Sequence, residues 1–349
     1  MRTALFDYDL PSELIARLPP AERDGGRLLV LGPTLEHRRI PDLPALIGRG
    51  ALVVLNDTRV FRARLLGQRP GGGAAELLLL RRLGGSGPRE RWLSLGKPAK
   101  RLKLGMRLGF EGLEAEVVGR TAEGELELEL SAPRSVEASL EQVGRVPIPP
   151  YMERDDEPLD AARYQTVFAQ RTGSVAAPTA GLHLTAELID QLRAGGVEVA
   201  RTTLHVGPGT FKPVTADDLD LHAMHSEAFE VDAALVDAVA RARARGAPVV
   251  AIGTTVVRAL ESARDDARPG HVRALSGDTR LLIQPGYRFG VVDALLTNFH
   301  LPKSTLLALV AAFAGLDAVQ AAYRAAISHR YRFLSYGDAM WIPQRAAEP

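Results

Sequence analysis

Apolar and polar residues alternate with two different periods along this chain, and the change of period divides it. Between about Leu65 and Arg145 the period is two. In "GELELEL" the residues Leu126, Leu128 and Leu130 fall on one face and glutamates on the other, as in a half-buried strand. The glycine-rich punctuation "RPGGG", "GGSGP" and "AEG" separates short strands at regular spacing, which predicts an all-β, barrel-like module. After Val146 the apolar residues recur at helical spacing. "TAELIDQLRAGG" predicts a helix capped by Thr185, with Leu188, Ile189 and Leu192 on one side and Gly195 or Gly196 at its stop. "VEVARTTL" reads as a strand. "VDAALVDAVARARARG" predicts a second helix with Val231, Leu235 and Val239 on one face, followed by the short buried strand "PVVAI". "ALVVLNDTRV", starting at Ala51, is a similar buried strand. The expected architecture is an α/β main domain, a sheet covered by helices, built from residues 1–62 and 147–349 and interrupted at 63–146 by an all-β, barrel-like insertion.

Composition narrows the class. A chain of 349 residues, 46% hydrophobic and 24% charged, is ordinary for a globular protein with two domains. Cysteine is absent, which excludes disulfides, thiolate metal sites and cysteine nucleophiles, and the expected location is a reducing cytoplasm. The first residues are broken by Asp7, Asp9 and Glu13, and the most apolar stretch, "LLALVAAFAGL", is too short to span a bilayer, so no membrane role is expected. A net charge of +1 confines any nucleic-acid surface to local patches. Three of the five lysines, Lys97, Lys100 and Lys103, stand beside Arg101 in "GKPAKRLKLG" on the insertion, while Arg59, Arg62 and Arg64 lie near the domain junction.

Three polar loops follow predicted strands. "HVGPGTFKP" carries Gly207, Gly209 and Thr210, whose backbone N–H groups suit an anion. "AIGTTVVRALES" runs from strand into helix through Thr254 and Thr255, aiming unpaired N–H groups out of the sheet. "TNFHLPKSTLLALV" sets Asn298, His300 and Lys303 before a helix capped by Ser304 or Thr305. Together they predict a ligand crevice at strand ends. "HAMHSE" would put His222 and His225 on one face of a helix, as metal ligands are spaced, but without an assured third ligand hydrogen bonding is the better reading, and no metal is expected. "GSVAAPTAGLHLT" holds His183 in a wall of small residues.

The segments "FDYDLPSELIA", "LNDTRVFRARL", "YQTVFA", "GSVAAPTAGLHLT", "TLHVGPGTFKPV", "MHSEAFEV", "TNFHLPKSTLLALVAAFAG" and "YRFLSYGDAM" occur in this order from Leu5 to Trp341. In this the chain closely resembles the S-adenosylmethionine:tRNA ribosyltransferase-isomerases of queuosine biosynthesis. It departs at Leu184, where a phenylalanine is common, at Val256 and Ala259, and in "GKPAKRL". The resemblance implies an α/β domain with an inserted β-barrel. It also implies transfer of the ribosyl part of S-adenosylmethionine to the aminomethyl nitrogen of 7-aminomethyl-7-deazaguanine at the tRNA wobble position, giving epoxyqueuosine, adenine and methionine without a metal.

That chemistry requires a base for the acidic proton on the sugar carbon beside the sulfonium, and an acid to assist adenine. Histidine suits both roles near neutral pH. Of the eight histidines, His183, His205, His225 and His300 lie within the matching segments, with Asp57 and Glu227 as carboxylate candidates. His37, His222, His271 and His329 are more incidental. The expected partners are S-adenosylmethionine and tRNA, met by a monomer. Two other classes stay open: a non-catalytic tRNA-binding module that grips RNA with its insertion, and metal-dependent hydrolysis through His222, His225 and a further ligand.

Overall fold

A computed structural model describes residues 1–211 and 213–346, with the backbone alone at Phe211. Its centre is a nine-stranded mixed sheet ordered Leu275–Thr279, Glu227–Val231, Glu198–Leu204, Leu52–Asn56, Val249–Ile252, Ala294–Asn298, Ala339–Ile342, Arg27–Leu31 and Leu35–Arg39. The strands Glu198–Leu204, Leu52–Asn56, Val249–Ile252 and Ala294–Asn298 are mutually parallel, so their carboxyl ends share one edge. Leu52–Asn56, Val249–Ile252 and Ala294–Asn298 are buried on both faces, which explains their apolar runs, whereas Glu198–Leu204 is buried only over its last three residues. Leu52 and Val54 pack into one core with Leu235, Val239, Val257 and Leu260, whereas Val53 and Leu55 pack into the opposite core with Leu188, Ile189 and Leu192. Helices therefore cover both sides.

Local signals place most helix boundaries. Thr185 caps Ala186–Ala194 by accepting from the Leu188 N–H, and Ser304 caps Thr305–Ala314 by accepting from Leu307. Each cap contributes about 1 kcal/mol. Gly196, at φ 83°, takes the left-handed turn beyond the first of these helices. One local expectation fails. Val231 ends a strand, and Asp232 caps the helix Ala233–Ala244, because pairing with Leu275–Thr279 carries the extended backbone through Val231. "HAMHSE" is not helical: only Glu227 joins a regular element, the strand Glu227–Val231.

The insertion is a closed six-stranded antiparallel barrel, its strands lying between Arg64–Gln68 and Leu126–Ser131. Leu126, Leu128 and Leu130 point inward with Leu65, Leu77 and Leu79, and the helix Val136–Val143 adds Val136 and Leu140 to the same core. Chain closure abolishes the exposed strand edges that an open sheet of this size would leave. Among the described residues no single helix is long and apolar enough to cross a membrane. The apolar helices Thr305–Ala314 and Leu316–Ser328 meet at 114° and contribute Val310, Phe313, Val319 and Tyr323 to the core of the main domain.

Candidate active site

The carboxyl ends of the four parallel strands open into a cleft of about 590 Å³. Its walls include Pro178, Thr179, Ala180, Gly253, Thr254, Thr255, Asn298, His300 and Ser335. Asn56, at the end of a central strand, knots this edge together. Its amide donates to the Leu204 carbonyl at 2.9 Å and to the Thr255 hydroxyl at 3.2 Å, while its own carbonyl accepts from the N–H groups of Leu204 and Thr58. Gly253 sits at φ 98°, which a side chain would strain, and this turn brings the helix Thr254–Ser262 out of the strand so that its first N–H groups face the cleft.

His300 is the imidazole that lines this cleft, among the described residues. Its Nε2 lies 2.8 Å from the Thr297 hydroxyl, its backbone N–H donates to the Tyr323 hydroxyl at 2.9 Å, and the Tyr8 hydroxyl donates to its backbone carbonyl. Burial pushes its pKa down to about 3, so the ring is neutral. His183 stands behind the cleft wall instead, in a smaller cavity with Arg23, Tyr336 and Ser335. Burial, with Arg23 and Arg332 nearby and Asp338 opposing, pushes its pKa down to about 4. The Asn298 amide donates to His183 Nε2 and to the Leu334 carbonyl, both at 3.1 Å, and Asn298 Oδ1 is buried with no donor among the described residues. His183 thus fixes the amide that lines the cleft.

A second cavity, of about 450 Å³, adjoins the first, sharing Thr210 and Leu306. It is lined by His222, His225, Glu227, Arg258 and Gly209. Gly209 packs against the His225 ring, which a Cβ there, 2.1 Å from His225 Cδ2, would displace. Glu227 and Arg258 are both buried and form an ion pair. Among the described residues no cluster of three His, Cys, Asp or Glu side chains is spaced to hold a metal ion, and His222 and His225 do not share a helix face.

Several expected site residues lie elsewhere. Asp57 is buried, accepts from the Thr203 hydroxyl at 2.7 Å and lines neither cavity. His205, held 2.8 Å from the Thr58 hydroxyl, also lines neither. The ring packs so closely on Gly173 that a Cβ there would lie 2.7 Å from it. The Gly207 N–H is not offered to a ligand, because it donates to Glu227 Oε1 at 2.9 Å. Lys303 lies toward the surface, paired with Asp7 at 2.7 Å. Conversely, the sequence gives no local signal for Tyr151, Thr297 and Ser335 in the cleft, or for Arg258 beside it. Only the helical spacing of Arg258, four residues after Thr254, places those two on one helix face.

The basic candidates separate into two kinds. Arg62 and Arg64 are drawn into ion pairs, Arg62 with Glu141 at 3.5 Å and Arg64 with Glu76 at 3.2 Å and Asp155 at 2.9 Å. Arg59, Lys97, Lys100, Arg101 and Lys103 are exposed and make no ion pair among the described residues. Lys97 also lines a hollow of about 1190 Å³ between barrel and main domain, opposite Pro147, Pro149, Pro150 and Pro208. Pro208 adjoins Gly209 and Thr210, so hollow and cleft are neighbours.

Residues 3–342 match the model of the family described as queuosine biosynthesis protein. The chain is 56% identical to the S-adenosylmethionine:tRNA ribosyltransferase-isomerase of Sorangium cellulosum, over 98% of each chain. It is 51% identical to that of Anaeromyxobacter sp. (strain K), covering 99% of this chain and 100% of the relative. The crystal structure of S-adenosylmethionine tRNA ribosyltransferase from Thermotoga maritima, 36% identical, superposes with a TM-score of 0.54, covering 97% of this chain and 99% of that one. With the cleft at the strand ends and the barrel set into the α/β domain, these similarities establish that the chain belongs to the S-adenosylmethionine:tRNA ribosyltransferase-isomerase family of queuosine biosynthesis.

Proposed function

We propose that the chain transfers and isomerises the ribosyl group of S-adenosylmethionine onto 7-aminomethyl-7-deazaguanine in tRNA, and that the cleft at the strand ends is where this happens. The observation that carries the site is a helix N-terminus and a neutral buried imidazole lining one cavity together with Asn298, whose amide oxygen has no partner among the described residues. His300 takes the proton from the sugar carbon beside the sulfonium at Nδ1, which has no partner among the described residues, while Nε2 donates to the Thr297 hydroxyl. Asn298 Oδ1 accepts an N–H or O–H of the substrate, removing the cost of a buried acceptor without a donor. The Thr255 hydroxyl, already accepting from Asn56, keeps its proton for the ligand. Adenine release measured with S-adenosylmethionine and modified tRNA tests the activity, which a non-catalytic tRNA-binding module would lack. Thr255→Val is expected to raise the KM for one substrate several-fold, the usual loss of one hydrogen bond. Unchanged KM values for both substrates would remove the cleft from the reading.

The tRNA lies across the junction hollow and onto the barrel, with residues 63–146 as the RNA-gripping unit and 1–62 with 147–349 as the catalytic one. What supports this is the group of exposed cations at Lys97, Lys100, Arg101 and Lys103, without ion pairs among the described residues, of which Lys97 lines the hollow that neighbours the cleft. Arg59 extends the surface, whereas Arg62 and Arg64 serve mainly as ion-pair partners at the junction. Phosphate contacts of this kind release counterions, so affinity falls with salt in proportion to their number. Changing the four barrel residues to alanine should flatten the salt dependence of tRNA binding and leave S-adenosylmethionine binding as it is. An unaltered salt slope would exclude this surface. The chain works as a monomer in the cytoplasm, where both substrates are present.

A further inference from the structure

Arg258 has an unmet requirement. Its Nε donates to the Leu281 carbonyl at 3.0 Å and its Nη1 to Glu227 Oε2, yet Nη2 is buried with no partner among the described residues. Only 5% of the residue is exposed, and a buried donor left without an acceptor is costly. Glu227 is nearly as well used. Its Oε1 accepts from the Gly207 N–H at 2.9 Å and from the Thr210 hydroxyl at 3.3 Å, and Oε2 accepts from Arg258. A carboxylate offers about four lone-pair sites, so one acceptor position is left. Both residues line the second cavity, and the pair holds a spare donor on the cation and a spare acceptor on the anion, at no net charge.

We propose that this buried pair receives the zwitterionic α-amino acid end of S-adenosylmethionine, Arg258 Nη2 holding its carboxylate and Glu227 its ammonium. The inference rests on the reading that the cofactor's ribosyl part occupies the larger cleft. Geometry supports the extension. Thr254 and Thr255 line the larger cavity and Arg258 the smaller, one turn further along the same helix, a step of about 5 Å. That step suits the two-carbon chain between the sulfonium and the α-carbon. Thr210 and Leu306 line both cavities, which therefore lie side by side. A tRNA phosphate fits less well, because it would bring a second anion against Glu227 without an ammonium to offset it. Anchoring the part of the molecule that leaves as methionine holds the sulfonium still while the sugar reacts.

The test compares S-adenosylmethionine with its decarboxylated form, which keeps the sulfonium and the ammonium but lacks the carboxylate. With modified tRNA, the wild-type enzyme is expected to prefer S-adenosylmethionine in kcat/KM by on the order of a hundredfold, as for loss of one partner from a buried charge pair. In Arg258→Met the preference should shrink to a few-fold. Because that change leaves Glu227 buried alone, Arg258→Met with Glu227→Gln provides a variant without an uncompensated charge, and the same collapse is expected. Equal use of both compounds by the wild type overturns the proposal whether or not the variants fold. So does a preference retained in either variant, or a rise confined to the KM for tRNA, which would assign the site to a phosphate. If Thr255→Val shifts the S-adenosylmethionine KM while Arg258→Met leaves the preference intact, the cleft stands and this inference falls. If Thr255→Val changes neither KM, the cleft reading itself has failed.

Discussion

Replacing His300 by glutamine is expected to lower the turnover number by on the order of a hundredfold, as when a general base is removed, with the fold preserved. The side chain lines the cleft, is almost fully buried, and is neutral because burial pushes its pKa down to about 3. Glutamine is also neutral and of similar size, so it introduces no buried charge and still offers the Thr297 hydroxyl a partner. What it lacks is a nitrogen that accepts a proton. His183→Gln should behave differently, since His183 acts through Asn298. A loosened Asn298 amide weakens substrate binding, so KM rises more than the turnover number falls, and His183→Asn, reaching less far, should do worse than glutamine. Exchange of the sugar-carbon proton with deuterated solvent separates the roles. It should be lost in His300→Gln and persist in His183→Gln. If His300→Gln exchanges the proton at the wild-type rate yet completes no transfer, the base is elsewhere, and His225 in the adjoining cavity is the next residue to change.

Acid should destabilise the fold through the same two histidines. In the unfolded chain each titrates near 6.5, whereas burial holds His183 at about 4 and His300 at about 3 in the fold. As pH falls below 6.5 the unfolded state takes up protons that the native state refuses, so stability drops with decreasing pH. The stabilisation is complete above pH 6.5 and is lost on the way down toward those lower values. By pH 4 each ring accounts for a loss on the order of 3 kcal/mol. Titrating carboxylates add a slope of their own, so the informative quantity is a difference between proteins. Urea unfolding midpoints of the wild type and of His183→Gln with His300→Gln, measured at pH 7 and pH 4, should show the variant losing much less on acidification. Parallel pH dependences would mean that both rings titrate normally in the native state.

Sequence alone determined what depends on neighbours along the chain. The period-two leucines of "GELELEL" and the apolar runs of the parallel strands follow from which faces are buried, and a strand or helix repeats its exposure every few residues. Thr185 and Ser304 cap their helices through hydrogen bonds that reach only three residues ahead. The glycine, threonine and asparagine loops after the strands were legible as a crevice for the same reason, since a parallel sheet gathers such loops at one edge. Which side chains face that crevice was decided only by tertiary structure. Val231 went to a strand because a partner strand more than forty residues later extends it. Glu227 closed the Gly207 N–H to ligands and met Arg258, at separations of 20 and 31 residues. His183 and His300 lie in equally well-matched segments, yet one reaches the cleft directly and the other through Asn298. Those outcomes hang on side-chain direction, which is fixed by long-range pairing and close packing rather than by local spacing, so no window of sequence contains them.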